Sequence, residues 1–486
     1  MNRFQFGTWA AAYSQRTNRS LAGSRLVIDK RLLSPLDRLQ AQLWGMTIED
    51  AGSKASQDKP LLDVDATCPL CDVPDGRQLS GVEAMDFAQQ HMPVLEAYMQ
   101  EAIHQADFHD ARIAACLILE PKTAVLLRKL KAAGATVGAY CGSEANDERV
   151  VRQLREEGIT VVYDPSWSAV DSHQAALDML DRIQPNIIID DGASFARLAA
   201  MERPELMKHI IGVAEETTSG IRAFEAMQEA GALSFPVVAV NDSPLKTGFD
   251  NAHGTGETCI TTLQRILGED VFTGASVTVL GYGPVGSGFA HRVRALGADV
   301  TVCDTDPIVA LQAVFDGFRA LDITQAIQEA DIVISATGVR HTVTLQDMQS
   351  MKDHAVLAVI GGIANEIALD TIPGFHAQPK TELRSLAIPG GNTIRLVSEG
   401  DGVNYTAGGG NPIEIMDLSF AVQAAAVTYL LSSKGHLPNG LQRLDHETNR
   451  NIAEIALKVR GYSASHAVTD NGYDWKLTRF AENERR

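Results

Sequence analysis

The stretch NDSPLKTGFDN, residues 241–251, combines a lysine, two aspartates and two asparagines directly after the apolar run FPVVAV. Lys246 and Asp250 stand four residues apart within it. A solvated turn would account for Gly248 and Ser243, but it does not call for the lysine and the FDN that follows. A lysine beside carboxylates favours a developing alkoxide, and a carboxylate can act as an acid or base. The composition therefore favours a loop that faces a ligand.

A glycine turn is the second group of residues with a recognisable spacing. It follows the strand pattern VTVL and consists of Gly281, Gly283 and Gly286, with Pro284 and Val285 between them. Such a turn lets a helix N-terminus approach a pyrophosphate, whose charge the helix dipole favours. The strand that follows ends in Asp304, which completes the context of a dinucleotide site. Its carboxylate would bind a ribose diol and repel a 2′-phosphate, so the sequence predicts NAD rather than NADP.

The elements that must position these residues follow the pattern of α/β units. From about residue 110, short apolar runs alternate with amphipathic stretches, and a second such series starts near residue 275. We expect an α/β protein with two Rossmann-like doubly wound parallel sheets and a C-terminal helical tail. The predicted segments are an irregular N-terminal extension (1–80), a substrate domain (81–245, completed by about 412–460), an NAD domain (246–411) and a tail (461–486). The two helical patterns near the C-terminus are expected to return to the first domain.

Charge and cysteine content restrict the classes of function. The chain has 486 residues and a formal net charge of −19, which argues against nucleic acid or an anionic membrane as a partner. The apolar runs are too short for a bilayer, and the basic N-terminus lacks the apolar core of a signal peptide, so we expect a cytoplasmic protein. Cys68 and Cys71 form a C-x-x-C, which could be half of a zinc site or a redox pair. No second such pair or close histidine pair completes a zinc site, so the sequence favours a structural or accidental pair, and no metal is predicted.

Several motifs resemble adenosylhomocysteinase, the enzyme that reversibly cleaves S-adenosylhomocysteine. They are MPVLEAYM, VAEETTSGI, VNDSPLKTGFDN, GYGPVGSG, DTDPIVALQA and SEGDGVN, in the family's order. The resemblance covers about residues 85–460, and EETTSG followed by the VNDS and FDN motifs is specific to the family. It implies an NAD-dependent enzyme that transiently oxidises a ribose 3′-hydroxyl, eliminates the 5′ substituent and adds water.

The resemblance also implies roles for individual residues. Lys246 and Asp250 would hold and deprotonate the 3′-hydroxyl, Glu216 would bind the 2′-hydroxyl, Asp191 would act on the 5′ side or on C4′, and Asn251 would support the nicotinamide. The residues expected along the NAD are Thr217, Thr218, Ser219, Thr337, Gly338 and Asn404. Glu216 and Asp191 also have a structural interpretation, because helix N-caps are common at strand ends.

The sequence departs from the family where the base and the 5′ position are expected. The changed positions are Ile118, Glu120, Lys122, Thr255, Gly362 and Asn411, where the family has histidine, threonine, glutamate, cysteine, histidine and histidine, whereas Met416 still matches. Replacing the glutamate that reads adenine by Lys122 reverses the charge where an exocyclic amine would donate. A site built for that hydrogen bond rejects the wrong partner by about a thousandfold or more. Lys122 would instead suit a carbonyl, a carboxylate or a phosphate.

Two residues leave alternatives open. His253 follows the loop 241–251 and could replace an acid or base of the family that this chain has lost, but a packed or solvated histidine is the other interpretation. Lys476 corresponds to a family lysine that reaches the NAD of a neighbouring subunit. If that match holds, the protein is an oligomer with shared NAD sites, and we expect a homodimer or homotetramer.

Three hypotheses on function follow from these observations. The first is an NAD-dependent enzyme of this superfamily with a divergent, nucleoside-like small-molecule substrate. The second is a true adenosylhomocysteinase with a rebuilt base pocket, and the third is an NAD-binding regulatory paralogue without turnover. Four residues expected to hold or act on the sugar are retained, which favours catalysis over the third hypothesis: Lys246, Asp250, Asp191 and Glu216. The loss of three histidines favours the first hypothesis over the second.

Overall fold

A computed structural model describes residues 4–51, 63–67, 70, 73–142, 145–363, 365–375 and 381–466. Cys68, Cys71 and Lys476 lie outside the described residues. The described strands form one three-stranded and two seven-stranded sheets. The prediction of an α/β protein with two Rossmann-like sheets is therefore confirmed.

The N-terminal extension is a small α/β layer, so the prediction of an irregular segment was wrong. Its elements are α1 (Phe6–Thr17), β1 (Arg25–Ile28), α2 (Pro35–Leu43), β2 (Thr47–Asp50) and β3 (Asp63–Asp65). The strands pair in parallel in the order β2-β1-β3. Phe6, Trp9 and Tyr13 are buried in one cluster with residues of the NAD domain. Strands of three or four residues are too short for their periodicity to be recognised. Burial of Leu26, Ile28 and Val64 in the cluster shared with the NAD domain stabilises β1 and β3.

The first seven-stranded sheet lies in the substrate domain. The elements up to residue 239 are α3 (Gly81–Gln90), α4 (Pro93–Ala102), β4 (Arg112–Cys116), α5 (Pro121–Ala132), β5 (Thr136–Tyr140), α6 (Glu148–Glu156), β6 (Thr160–Val162), α7 (Ala169–Ile183), β7 (Ile187–Asp190), α8 (Ser194–Glu202), α9 (Pro204–Met207), β8 (Gly212–Glu215), α10 (Thr218–Glu229) and β9 (Pro236–Ala239). The strands run parallel in the order β9-β8-β7-β4-β5-β6. Strands β7, β8 and β9 are buried along their whole length, as expected for a parallel sheet covered on both faces. The order reverses between β4 and β7, which opens a crevice at their carboxyl ends.

The second seven-stranded sheet lies in the NAD domain. Its segment contains α11 (Pro244–Lys246), a π-helix (Thr247–Gly254), α12 (Thr255–Leu267), β10 (Ser276–Leu280), α13 (Pro284–Ala295), β11 (Asp299–Cys303), α14 (Pro307–Phe315), β12 (Arg319–Ala320), α15 (Ile323–Glu329), β13 (Ile332–Ser335), α16 (Leu345–Ser350), β14 (Val356–Val359), β15 (Leu383–Ala387), β16 (Thr393–Val397) and α17 (Val403–Thr406). The strand order is β12-β11-β10-β13-β14-β16-β15, and only β15 is antiparallel to its neighbour. The order reverses between β10 and β13, so the glycine turn after β10 lies at this crevice.

The C-terminal elements pack with the substrate domain. They are α18 (Ile413–Ser432), β17 (Gly440–Gln442) and α19 (His446–Val459). Strand β17 extends the first sheet by pairing in parallel with β9, and α18 packs against α4. By length and composition α18 could cross a membrane, with a mean hydropathy of 1.4, but 83% of that window is buried inside the protein. We therefore interpret α18 as a core helix of the substrate domain.

Candidate active site

The carboxyl ends of both large sheets border a common cavity of about 360 Å³. Residues that follow β7, β8 and β9 line one side, and residues that follow β10, β13 and β14 line the other. Doubly wound sheets bind their ligands at this edge. The predicted site residues that line the cavity are Asp191, Thr217, Thr218, Ser219, Lys246, Asp250, Asn251, Gly283, Pro284, Val285, Thr337, Gly338, Asn404 and Asn411.

The loop 241–251 enters this cavity through the π-helix that follows α11. Such wide helical turns are frequent at functional sites. Lys246 Nζ lies 3.0 Å from Asp250 Oδ2 and donates to Asn251 Oδ1 at 2.8 Å. Lys246 and Asp250 are only 5% and 3% exposed, so each charge depends on the other for compensation. The wide turn thus brings a buried ion pair and an amide to one face of the loop.

A chain of amides fixes the aspartate of this ion pair. Asn411 Nδ2 donates to Asp250 Oδ1 and, at 3.1 Å, to Thr255 Oγ1. Asn404 Nδ2 in turn donates to Asn411 Oδ1 at 3.0 Å. Asn411 and Thr255 stand where the family has a histidine and a cysteine, so both changes occur in groups that contact Asp250 directly or through one amide.

A second amide holds the other end of the loop. Asn251 Nδ2 donates to Asn241 Oδ1 at 3.2 Å, and Thr218 Oγ1 donates to the same oxygen at 3.1 Å. Asn241 thereby links the end of β9 to the start of α10. We did not select Asn241 from the sequence as a site residue, although the loop begins with it.

Strands β7 and β8 each end at the first of two adjacent acidic residues, Asp190–Asp191 and Glu215–Glu216. The first residue of each pair holds the local backbone. Asp190 accepts the backbone N–H groups at the start of α8, and Glu215 accepts those of the loop after β7 and of Thr217. The following residue of each pair, Asp191 and Glu216, does not hold the backbone in this way. Asp191 lines the cavity, whereas the buried Glu216 does not, and the Glu216 carboxyl has no hydrogen-bond partner among the described residues.

Burial and charge set the protonation of these groups. Burial raises the pKa of Glu216 to about 8, although Lys246 lowers it. Burial likewise raises the pKa of Asp191, against the effect of Lys246. Burial alone would lower the pKa of Lys246, but the nearby carboxylates, with Asp250 first, raise it. Near neutral pH the site therefore combines a stable ammonium with a Glu216 carboxyl that keeps its proton.

The glycine turn fits a dinucleotide. A Cβ atom on residue 286 would lie 1.9 Å from the carbonyl oxygen of Gly281, which itself has a φ of +89°. A Cβ atom on Gly283 would meet open space, which is the room that a pyrophosphate needs. The Asp304 carboxylate follows β11 and accepts the Tyr282 N–H at 2.8 Å, so it also holds the turn.

One further group in the NAD domain matches a cofactor that carries an amide, and a second group fixes a loop at the cavity. The buried Asn404 lines the cavity, and its Oδ1 has no hydrogen-bond partner in the described part of the chain. Glu366 Oε1 accepts the N–H groups of Thr337 and Gly338 at 2.8 and 3.2 Å and thereby fixes the loop after β13. No sequence motif identified Glu366, because it acts through the loop rather than on the ligand. The residues present fit NAD.

A second cavity of about 240 Å³ adjoins the first, and Tyr405 lines both. Lys122, at 1% exposure, lies at its wall, and its Nζ is 3.1 Å from Glu120 Oε2 and donates to Asn18 Oδ1 at 2.5 Å and to the Gly409 carbonyl at 3.1 Å. These acceptors use the three N–H bonds of the ammonium. Lys122 therefore presents neither a reversed charge nor a free donor to a ligand in this structure, and the sequence-based prediction needs this correction.

Two predicted substrate residues lie away from both cavities. Arg292 Nη2 donates to His253 Nδ1 at 2.7 Å, and burial lowers the pKa of that histidine to about 4. Met416 is buried in the core of the substrate domain. Neither lines a cavity, because the π-helix directs His253 towards α13 and Met416 lies on the core side of α18.

Comparison with known proteins identifies the family. Residues 76–205 match the model of S-adenosyl-L-homocysteine hydrolase, and residues 251–410 match that of its NAD binding domain. The chain is 36% identical over 390 residues to S-inosyl-L-homocysteine hydrolase of Methanopyrus kandleri, covering 78% of this chain and 91% of that protein. It is 38% identical over 386 residues to adenosylhomocysteinase of Thermococcus kodakarensis, covering 79% and 91%. Among solved structures, a transhydrogenase from Sinorhizobium meliloti aligns with a TM-score of 0.35 and 16% identity, covering 66% of this chain and 94% of that one.

The extent of these matches leaves no ambiguity about kinship. The two family models cover β4–β7 of the first large sheet and every strand of the second, and the relatives are covered over nearly their whole length. The chain belongs to the S-adenosyl-L-homocysteine hydrolase family and is an NAD-dependent hydrolase of the adenosylhomocysteinase type.

Proposed function

We propose that the enzyme transiently oxidises the ribose 3′-hydroxyl of a nucleoside-like substrate and then eliminates and hydrates at the 5′ side, on a substrate other than ordinary S-adenosyl-L-homocysteine. The buried pair of Lys246 and Asp250 beside the NAD turn is the observation that carries this proposal. A binding site without turnover has no need of an ammonium and a carboxylate desolvated together at the cofactor.

The residues around this pair suit the handling of a vicinal diol. Asp250 accepts the proton of the 3′-hydroxyl, and Lys246 stabilises the alkoxide charge that develops. Bound NAD supplies the reversible oxidation. We assign Glu216 to the 2′-hydroxyl as a donor and acceptor, since it keeps its proton near neutral pH; because it does not line the cavity in this structure, ligand binding has to expose it. Asp191 borders the same cavity and is the group available for the C4′ proton or the 5′ side.

The change of substrate is supported by the groups that replace the family's histidines. Gly362 lines the main cavity, Ile118 lines the adjoining one, and Asn411 bonds to Asp250. In the described part of the chain, no histidine lines either cavity. An imidazole is the usual proton carrier near neutral pH. Its absence from these walls favours a 5′ reaction in which carboxyl groups or water move the proton.

A second candidate function is adenosylhomocysteine hydrolysis with a rebuilt base pocket. The specific observation in its favour is Glu120, whose carboxylate lines the adjoining cavity two residues from the position of the family's glutamate. A carboxylate there can accept a hydrogen bond from an exocyclic amine. The names of the two relatives already refer to different bases, inosyl and adenosyl, so base recognition varies among proteins of this similarity.

The test is to present adenosine, inosine and other ribonucleosides one at a time to the NAD-loaded protein. Reduction of bound NAD, followed by the near-ultraviolet absorbance of the reduced nicotinamide, reports oxidation of the sugar. The Lys246→Ala variant serves as control and should give no signal. Reduction by a nucleoside other than adenosine supports the first function, and reduction by adenosine supports the second. No reduction by any ribonucleoside, with NAD bound, would contradict both.

The cellular context stays a prediction. We propose a cytoplasmic homodimer or homotetramer without nucleic-acid or membrane partners. Size-exclusion chromatography with light scattering would contradict the oligomer if the NAD-loaded protein eluted as a monomer.

A further inference from the structure

The N-terminal extension forms hydrogen bonds with the NAD domain and an ion pair with the substrate domain. Gln15 Nε2 donates to the carbonyl of Thr261 in α12 at 2.7 Å, and the Leu21 N–H donates to Glu257 Oε1 at 2.7 Å. Arg19 Nε lies 2.6 Å from Oε1 of Glu414, at the start of α18. Most of the extension precedes residue 76, where the family match begins. This chain therefore brings residues to the site that the family model does not include.

Asn18 is a residue of the extension that lines the adjoining cavity and contacts Lys122. It ends α1 in the left-handed conformation, with a φ of 51°. Its Oδ1 accepts from Lys122 Nζ at 2.5 Å, and its Nδ2 donates to the Gly410 carbonyl at 3.0 Å. Its backbone carbonyl accepts the Ile413 N–H at 2.9 Å. One side chain thus links Lys122 of the substrate domain to the glycine loop that leads out of the NAD domain.

The adjoining cavity is the place for the base, if the ribose is held as proposed above. A ribose on Lys246 and Asp250 occupies the main cavity, and the base must extend into a neighbouring space. The 240 Å³ cavity shares Tyr405 with the main one and is walled by Glu120, Lys122 and Asn18. The carboxylate of Glu120 also packs on Gly410, where a Cβ atom would lie 2.3 Å from its Oε2.

The direction of hydrogen bonding in this cavity depends on Lys122. Its three N–H bonds are directed to Glu120, Asn18 and Gly409. Glu120 Oε1 has no hydrogen-bond partner among the described residues. Burial raises the pKa of Glu120 and Lys122 opposes this effect, so the pair offers an acceptor when Glu120 is ionised. The cavity then favours a base edge that carries an N–H, such as the amino group of adenine or the ring N–H of hypoxanthine.

We propose that Asn18 is a positioning residue for base specificity, which holds Lys122 against Glu120 so that the pocket accepts an N–H group and offers no ammonium donor to the base. The inference rests on the proposed function for the position of the ribose. Removal of the Asn18 side chain leaves one N–H of Lys122 without its acceptor. That N–H can then donate to a carbonyl oxygen, which hypoxanthine has and adenine lacks.

The test variant is Asn18→Gly, because glycine adopts the left-handed backbone conformation without strain and removes only the side chain. Calorimetric binding of adenosine and of inosine to the NAD-loaded protein gives the ratio of their dissociation constants. We expect this ratio to shift towards inosine by about fivefold or more. Asn18→Asp, which keeps an oxygen for Lys122, should retain most of the wild-type ratio. Thr8→Ala is the matched control. Thr8 belongs to the same extension, and its hydroxyl donates to Glu269 Oε2 at the exposed surface, away from both cavities.

The outcomes separate this inference from the proposed function. A shifted ratio in Asn18→Gly alone, with thermal unfolding close to wild type, supports the inference. An unchanged ratio, or an equal loss of affinity for both nucleosides in Asn18→Gly and Thr8→Ala, overturns it, because Asn18 would then serve only as an anchor. Binding with the predicted shift but without reduction of NAD would overturn the proposed function and leave the specificity role standing. Absence of binding of either nucleoside to wild type would overturn both.

Discussion

Glu216 provides the sharpest test of the electrostatics of the site. Its carboxyl is buried without a hydrogen-bond partner among the described residues, and its pKa rises from 4.5 to about 8. The Glu216→Gln substitution keeps the shape and stays uncharged at every pH. At about pH 6 the unfolded wild type has released the Glu216 proton while the folded protein keeps it, so we expect the variant to be about 2 kcal/mol more stable than the wild type at that pH.

The sign and size of the pH effect follow from linkage. Between the unfolded and folded pKa values, the folded state keeps a proton that the unfolded state has released. The contribution of the Glu216 carboxyl to the free energy of unfolding is therefore fully present below about pH 4.5 and is lost as the pH rises through about 8. The slope is about 1.4 kcal/mol per pH unit, so the wild type should lose about 2 kcal/mol more than Glu216→Gln between about pH 6 and about pH 8.

Urea denaturation at the two pH values measures this difference directly. Burial raises the pKa values of three other carboxyls to about 7: Asp190, Glu257 and Asp417. They are present in both proteins, so their effects on the pH dependence of stability cancel in the comparison. Glu229→Gln, on the exposed surface of α10, is the matched control and should follow the wild type. Parallel pH profiles for the wild type and Glu216→Gln would refute the reasoning, since Glu216 would then be ionised in the folded protein.

Other predictions concern the cofactor and the ion pair. Gly286→Ala places a Cβ atom 1.9 Å from the Gly281 carbonyl, so we expect NAD affinity to fall by about a hundredfold or more, as measured by fluorescence titration, with the far-ultraviolet circular dichroism unchanged. Asn411→Ala removes the amide that donates to Asp250 and should slow nucleoside-dependent NAD reduction about tenfold; a rate equal to wild type would contradict a role for this amide. Lys246→Met removes the charge that stabilises the alkoxide and should slow the same reaction by about a hundredfold to a thousandfold, whereas a smaller loss would indicate that another group carries this role.

Local signals in the sequence were sufficient for the main features of the site. The glycine turn and Asp304 are encoded in one strand–helix–strand unit, and Lys246, Asp250 and Asn251 lie within six residues. Such groups act together because the chain itself keeps them close, so their spacing predicts both the fold and the cofactor. The alternation of apolar runs likewise predicted both parallel sheets, because strands buried on both faces need continuous apolar segments.

The tertiary structure decided what faces the substrate. Lys122 was expected from the sequence to reverse the charge of the base pocket, but Asn18, distant in sequence by 104 residues, and Glu120 take up its donors. The extension also folds into strands too short to show a pattern, because the NAD domain supplies the apolar surface that buries Leu26 and Ile28 of β1. Composition and spacing determine which groups a loop carries, whereas their charge and direction depend on partners that only folding brings within hydrogen-bond distance.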